Sequence, residues 1–162
     1  MVLACVAALV VALVLPIGAA LWQVEDWSRD LITNMAATDP DHQDGRLHPV
    51  NTDLSPREVA EALPNMVQRL PGWEVVNIHV KRNDNTGEEY LAVVDLIRTT
   101  PILGFKDDVR LTINHTDGAT AVTAVSRSRV GKGDLGQNPR NLREILGELR
   151  SELGELSIRR QK

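Results

Sequence analysis

Four segments read as strands lie between Trp73 and Arg127, with turn chemistry between them. In a strand, successive side chains point to opposite faces, so a period of two marks a sheet with one buried face. FKDDVRLTIN, Phe105 to Asn114, alternates most cleanly: Phe105, Asp107, Val109, Leu111 and Ile113 share a face. Trp73 to Lys81 and Glu88 to Arg98 flank RNDNTG, and Ala119 to Arg127 follows HTDGAT. Short turns of this kind join antiparallel neighbours. The pattern predicts a four-stranded antiparallel sheet.

Two amphipathic segments bracket the strands. Ser55-Pro56-Arg57-Glu58 is a helix start, with Ser55 as cap, Pro56 in the first turn and Glu58 completing a capping box. Val59, Leu63, Met66, Val67 and Leu70 form its apolar stripe. Pro64 is expected to kink or split it, and Pro71-Gly72 to end it. Asn138 to Leu153 is the closing helix, with Leu142, Ile145, Leu146, Leu149 and Leu153 on one side. The expectation is an α+β domain over residues 55–162, in the order α-β-β-β-β-α. Both helices lie on one face of the sheet, and the other face meets water or a partner.

The N-terminal segment VLACVAALVVALVLPIGAALW, Val2 to Trp22, carries no charge. About 20 such residues in a helix span the ~30 Å hydrocarbon core of a bilayer. Val2, Leu9 and Leu13 would belong to the membrane anchor, and Trp22 and Trp27 sit where interfacial tryptophans sit. The competing reading is a cleaved signal peptide, with Gly18-Ala19-Ala20 as small residues for cleavage. The absence of a basic start and the length of the apolar run favour a retained anchor. Trp27, Leu31, Ile32 and Met35 recur at helical spacing, which extends the helix to about Thr38. Residues 1–37 are thus expected as a transmembrane helix with a membrane-proximal extension, and residues 38–54 as an acidic linker. The acidic flank after the anchor favours the domain on the periplasmic side.

Charge and composition exclude some functions. Eighteen basic against 22 acidic residues give no overall attraction to nucleic acid, and three Trp, one Tyr and one Phe offer few platforms for base stacking. Cys5 alone builds neither a disulfide nor a thiolate metal site. No metal or other cofactor is expected. His42 and His48 fall in the linker, His79 and His115 on or beside strands, and none has metalloprotease spacing. Adjacent Asp107 and Asp108 point to opposite faces of a strand, so they make no acid/base pair. Asp107 is expected to pair with a loop arginine.

The stretch from Ala121 to Leu146, AVTAVSRSRVGKGDLGQNPRNLREIL, is the densest in polar and glycine residues. Three readings of it stand. In the first it is structural: Asp134 pairs with Arg129, while Ser126, Ser128 and Asn138 satisfy turn amides and cap the last helix, and Gly136 gives the backbone freedom. In the second it is an anion site: amides about Gly131 and Gly133 form a nest, and Arg127, Arg129 and Lys132 supply charge for a phosphate, a carboxylate or a lipid headgroup. In the third, a hydrolase, Asp134 would be essential. The loop is no Walker A motif, because Gly133 stands where a magnesium-binding Ser or Thr is needed.

DDVRLTI followed by SRSRVGKGDLGQN resembles the family catalogued as domain of unknown function 1499. Ser126, Ser128, Arg129, Gly131, Asp134, Gly136 and Asn138 match its motif in order. Val125 and Asn141 stand where that motif has arginines. The resemblance covers about Asp53 to Leu153. It implies small bacterial proteins, often membrane-anchored or exported, some of them from phototrophs, and no known reaction. The leading expectation is therefore a membrane-anchored, non-enzymatic scaffold subunit of a photosynthetic or electron-transfer complex. It would lie in an inner or photosynthetic membrane, with lipid and other membrane subunits as partners. The alternative is a module that binds an anion, phosphate or lipid headgroup through the 126–138 loop.

Overall fold

In the computed structural model, residues 32–82, 89–101 and 103–160 are described. The four expected strands are present as β3 (Trp73–Arg82), β4 (Glu89–Thr99), β5 (Lys106–Thr116) and β6 (Ala119–Ser128), each antiparallel to the next. Two further strands, β1 (Met35–Ala37) and β2 (Val50–Thr52), also pair with β6. The sheet therefore has six strands, in the order β1-β6-β5-β4-β3 with β2 beside β1 on the edge of β6. This corrects the four-stranded expectation. The outer edge of β6 carries unpaired backbone groups, and two three-residue segments satisfy them.

Met35 accordingly lies in a strand, not in a helix running to Thr38. Within residues 38–54, expected as linker, lie β2 and a 3-10 turn at Gly45–Leu47. Leu47, Val50 and Leu54 are buried in the core. Two arginines of the closing helix hold this segment down. Arg143 Nε donates to Asp44 Oδ2 (2.8 Å), and Arg150 donates to the His48 carbonyl (2.7 Å). The Arg46 hydrogen bond, assisted by Arg143, holds the Asp44 carboxyl well below the usual carboxylate range. His42 and His48 serve the same turn. His42 Nδ1 accepts from the Asp44 N–H (2.9 Å), and His48 Nε2 meets the His42 carbonyl (2.7 Å).

Helix α1 (Pro56–Gln68) starts at the expected capping box and runs unbroken through Pro64. The Ser55 N–H donates to Glu58 (2.8 Å), which keeps that carboxyl below its ordinary value. Ser55 Oγ in return accepts the Glu58 N–H (3.2 Å). Ser55→Ala removes that acceptor and is expected to lower stability by about 1 kcal/mol, read as a reduced urea midpoint with an unchanged slope. Helix α2 (Gln137–Arg160) extends beyond the expected Leu153. The two helices cover one face of the sheet. Val59, Leu63, Met66, Val67, Leu142, Ile145, Leu146 and Leu149 pack there on Val94, Leu96, Val109, Leu111, Ile113 and Val122. Phe105 precedes β5 and is exposed, against its expected place on the buried face.

Among the described residues, no helix is long and apolar enough to cross a membrane. α2 has the length, but charged residues recur along it. Val2, Leu9, Leu13, Trp22 and Trp27 lie outside the described residues. The membrane-anchored scaffold, its lipid and membrane-subunit partners and its single-pass placement with a periplasmic domain have no described helix to carry them. They are set aside.

Candidate functional site

The motif residues meet at one end of the sheet, where β5 begins, β6 ends and α2 starts. Alternation along β6 turns Ser126 and Ser128 toward α2, and register sets them beside Val109 and Asp107 of β5. Asp107, Ser126, Asn138 and Asn141 are each at most 2% exposed. Buried polar groups of this kind must satisfy one another. Ser126 Oγ donates to Asn138 Oδ1 (2.6 Å). The Asn138 amide faces the Asn34 carbonyl (2.8 Å), Ser128 Oγ (3.0 Å) and the Asp134 carboxylate. Asn141 donates to Asp107 Oδ2 (2.8 Å) and accepts from Gln137 Nε2 (2.7 Å). The Asp134 carboxylate takes the N–H groups of Gly136 (2.9 Å) and Asn138 (3.0 Å), so it is itself the anion at the positive end of α2.

The connection ahead of β1 is threaded through this cluster. The Asn34 carbonyl also accepts the Ser128 N–H (2.9 Å), Asn34 Nδ2 donates to the Gly131 carbonyl (3.1 Å), and the Asp134 N–H donates to the Thr33 carbonyl (3.1 Å). Gly131 has φ +95, a conformation that suits glycine. Asn34 gave no signal in the sequence, because it acts on residues about a hundred positions away.

Two expected pairs are replaced. Asp107 bonds Asn141, not a loop arginine, because the buried side of β5 faces α2. Arg129 bonds Asp108 through both Nε (3.0 Å) and a terminal nitrogen (2.6 Å), not Asp134. That carboxylate raises the Arg129 pKa above the ordinary arginine value. Of the cations placed in the anion site, Arg129 is therefore committed within the chain. The amides at the start of α2 face Asp134, and Gly133 is half-buried beside them. Arg127 and Lys132 are exposed. Arg127 is the one arginine among the described residues whose guanidinium has neither a hydrogen bond nor an ion pair.

Exposed apolar side chains share this end. Leu103 is 68% exposed, Val130 64%, Phe105 49% and Met35 49%. They are neighbours through the backbone: the Thr100 N–H reaches the Phe105 carbonyl (2.8 Å), and the Arg129 N–H reaches the Lys106 carbonyl (3.2 Å). Met35 lies opposite Arg127 in register. Lys106 and Lys132 are exposed here, and neither makes an ion pair.

A cleft of about 170 Å³ opens between β1 and the start of α2, lined by Met35, Ala37, His42, Leu47, Asp134 and Pro139 among others. It falls short of the ~300 Å³ at which small-molecule pockets begin, and the Asp134 carboxylate at its wall is already bonded. The His115 ring meets Thr120 Oγ1 (2.7 Å), but that hydroxyl donates to the Leu54 carbonyl (2.5 Å) and has no proton to give the imidazole. Among the described residues, no three His, Cys, Asp or Glu side chains group as metal ligands.

No curated protein matches the chain. A solved START superfamily protein from Mycobacterium smegmatis is similar over 76% of this chain and 99% of its own, at 11% identity and a TM-score of 0.37. Residues 25–149 match the family described as Protein of unknown function (DUF1499). That span contains β1 to β6, α1, the interlocked polar cluster and the exposed cations, and the chain belongs to that family.

Proposed function

We propose that the chain is a non-catalytic recognition module, a divergent family member that binds an acidic, apolar protein segment at the motif end of its sheet. Arg127 carries the reading: it is the arginine left without a partner where the other described arginines have theirs. Lys106 and Lys132 add to its charge on a chain whose net charge is −4, so the basic rim stands against an acidic background. Such a rim steers an acidic partner and fixes its register. Phe105, Leu103 and Val130 supply apolar area that water covers in the free chain.

The test is fluorescence anisotropy of the full chain with a short labelled peptide alternating glutamate and leucine. Binding is expected, and Arg127→Ala with Lys132→Ala should weaken it about tenfold or more. A peptide alternating lysine and leucine should not bind. Equal binding of both peptides, or no effect of the double substitution, contradicts the reading.

A further inference from the structure

We infer that two copies of this chain pair edge to edge through β3, making one sheet continuous across a two-fold axis. The inference is independent of the rim at the motif end. β3 is the outer strand among the described residues, and the backbone groups along its far side have no described neighbour in the sheet. Val76 and Ile78 on it are 55% and 36% exposed.

The arrangement of β3 is self-complementary. Val75 pairs with Leu96 and Asn77 with Asp95, so Val76 is a bulged extra residue. The bulge resets the alternation. Val75, Ile78 and Val80 lie opposite Leu96, Val94 and Ala92 on the helix-covered face, and Glu74, Asn77, His79 and Lys81 lie on the open face. A two-fold axis at Ile78 sets Ile78 against its own copy and Asn77 against His79. Beyond the bulge in each strand, Val75 then meets Val80 and Glu74 meets Lys81. Every opposed pair shares a face, apolar meets apolar, and each carboxylate meets an ammonium. Glu74 and Lys81 have no ion pair or side-chain hydrogen bond among the described residues, so both are available. Symmetry forms the Glu74–Lys81 pair twice.

The doubled pair makes charge reversal decisive. Sedimentation equilibrium on the full chain should give a dimer. Glu74→Lys sets lysine against lysine at both ends and should raise the dimer dissociation constant about tenfold or more. Adding Lys81→Glu rebuilds both pairs in the opposite sense and should restore dimerisation. Circular dichroism confirms that the variants fold, since both positions are exposed. A wild-type chain that stays monomeric, a Glu74→Lys variant that still dimerises, or a double variant that fails to recover overturns the inference. Binding of the glutamate–leucine peptide should be unchanged throughout, which separates this result from that of the rim.

Discussion

Asn138→Ala is expected to destabilise the domain by about 3–5 kcal/mol, the sum of two or three buried groups left unpartnered at ~1–3 kcal/mol each. Its carboxamide accepts from Ser126 and donates toward the Asn34 carbonyl, Ser128 and Asp134. Alanine replaces none of these bonds and leaves no path for bulk water, because position 138 is fully buried. Domains of this size have about 5–15 kcal/mol in hand. The variant should therefore unfold at a much lower urea concentration than wild type. It should also expose the amides of Ser128 and Asp134 to rapid hydrogen exchange, since Thr33 and Asn34 would lose their anchor.

Gly72→Ala should cost about as much, for a different reason. Gly72 turns the chain from α1 into β3 at φ +77. A methyl group there would lie 2.7 Å from the Thr99 carbonyl and against the Arg98 guanidinium. Neither gives way easily. The Thr99 N–H is bonded to the Gly72 carbonyl (2.7 Å), and Arg98 is held by the Pro71 carbonyl (2.7 Å), by Glu144 (3.3 Å) and over the Trp73 ring (5.5 Å). Strain of about 1–2 kcal/mol from the backbone conformation adds to the clash, for a total of roughly 3–5 kcal/mol. Gly104→Ala is the control. Its φ is +64, but nothing lies within 4 Å of the added methyl. It should lose only the ~1–2 kcal/mol of backbone strain. Equal midpoints for the two variants would show that the close approach at Gly72 contributes nothing.

The strands from Trp73 onward were legible because each runs ten or eleven residues, long enough for a period of two to show. Ser55 and Glu58 announced α1 through chemistry local to four residues. β1 and β2 were not legible, since three residues show no period and what recruits them is the bare edge of β6. The spacing of Met35 from Trp27 and Leu31 is helical, while in the fold it lies opposite Arg127 in a strand. At the site, the motif named the right residues but not their partners. Whether Arg129 meets Asp134 or Asp108 depends on strand register, which one sequence does not display. Position 141 was visible as a departure from the family motif. Its consequence, an amide on the buried Asp107, required the fold.

On the proposed reading, the motif divides into an interior that holds the fold and a rim that meets a partner. Urea unfolding and peptide anisotropy, run together on the Arg127→Ala, Lys132→Ala double variant, test that division most directly. A wild-type unfolding midpoint is expected, with binding weakened about tenfold or more. A midpoint as depressed as that of Asn138→Ala, with the glutamate–leucine peptide still bound as by wild type, would contradict it.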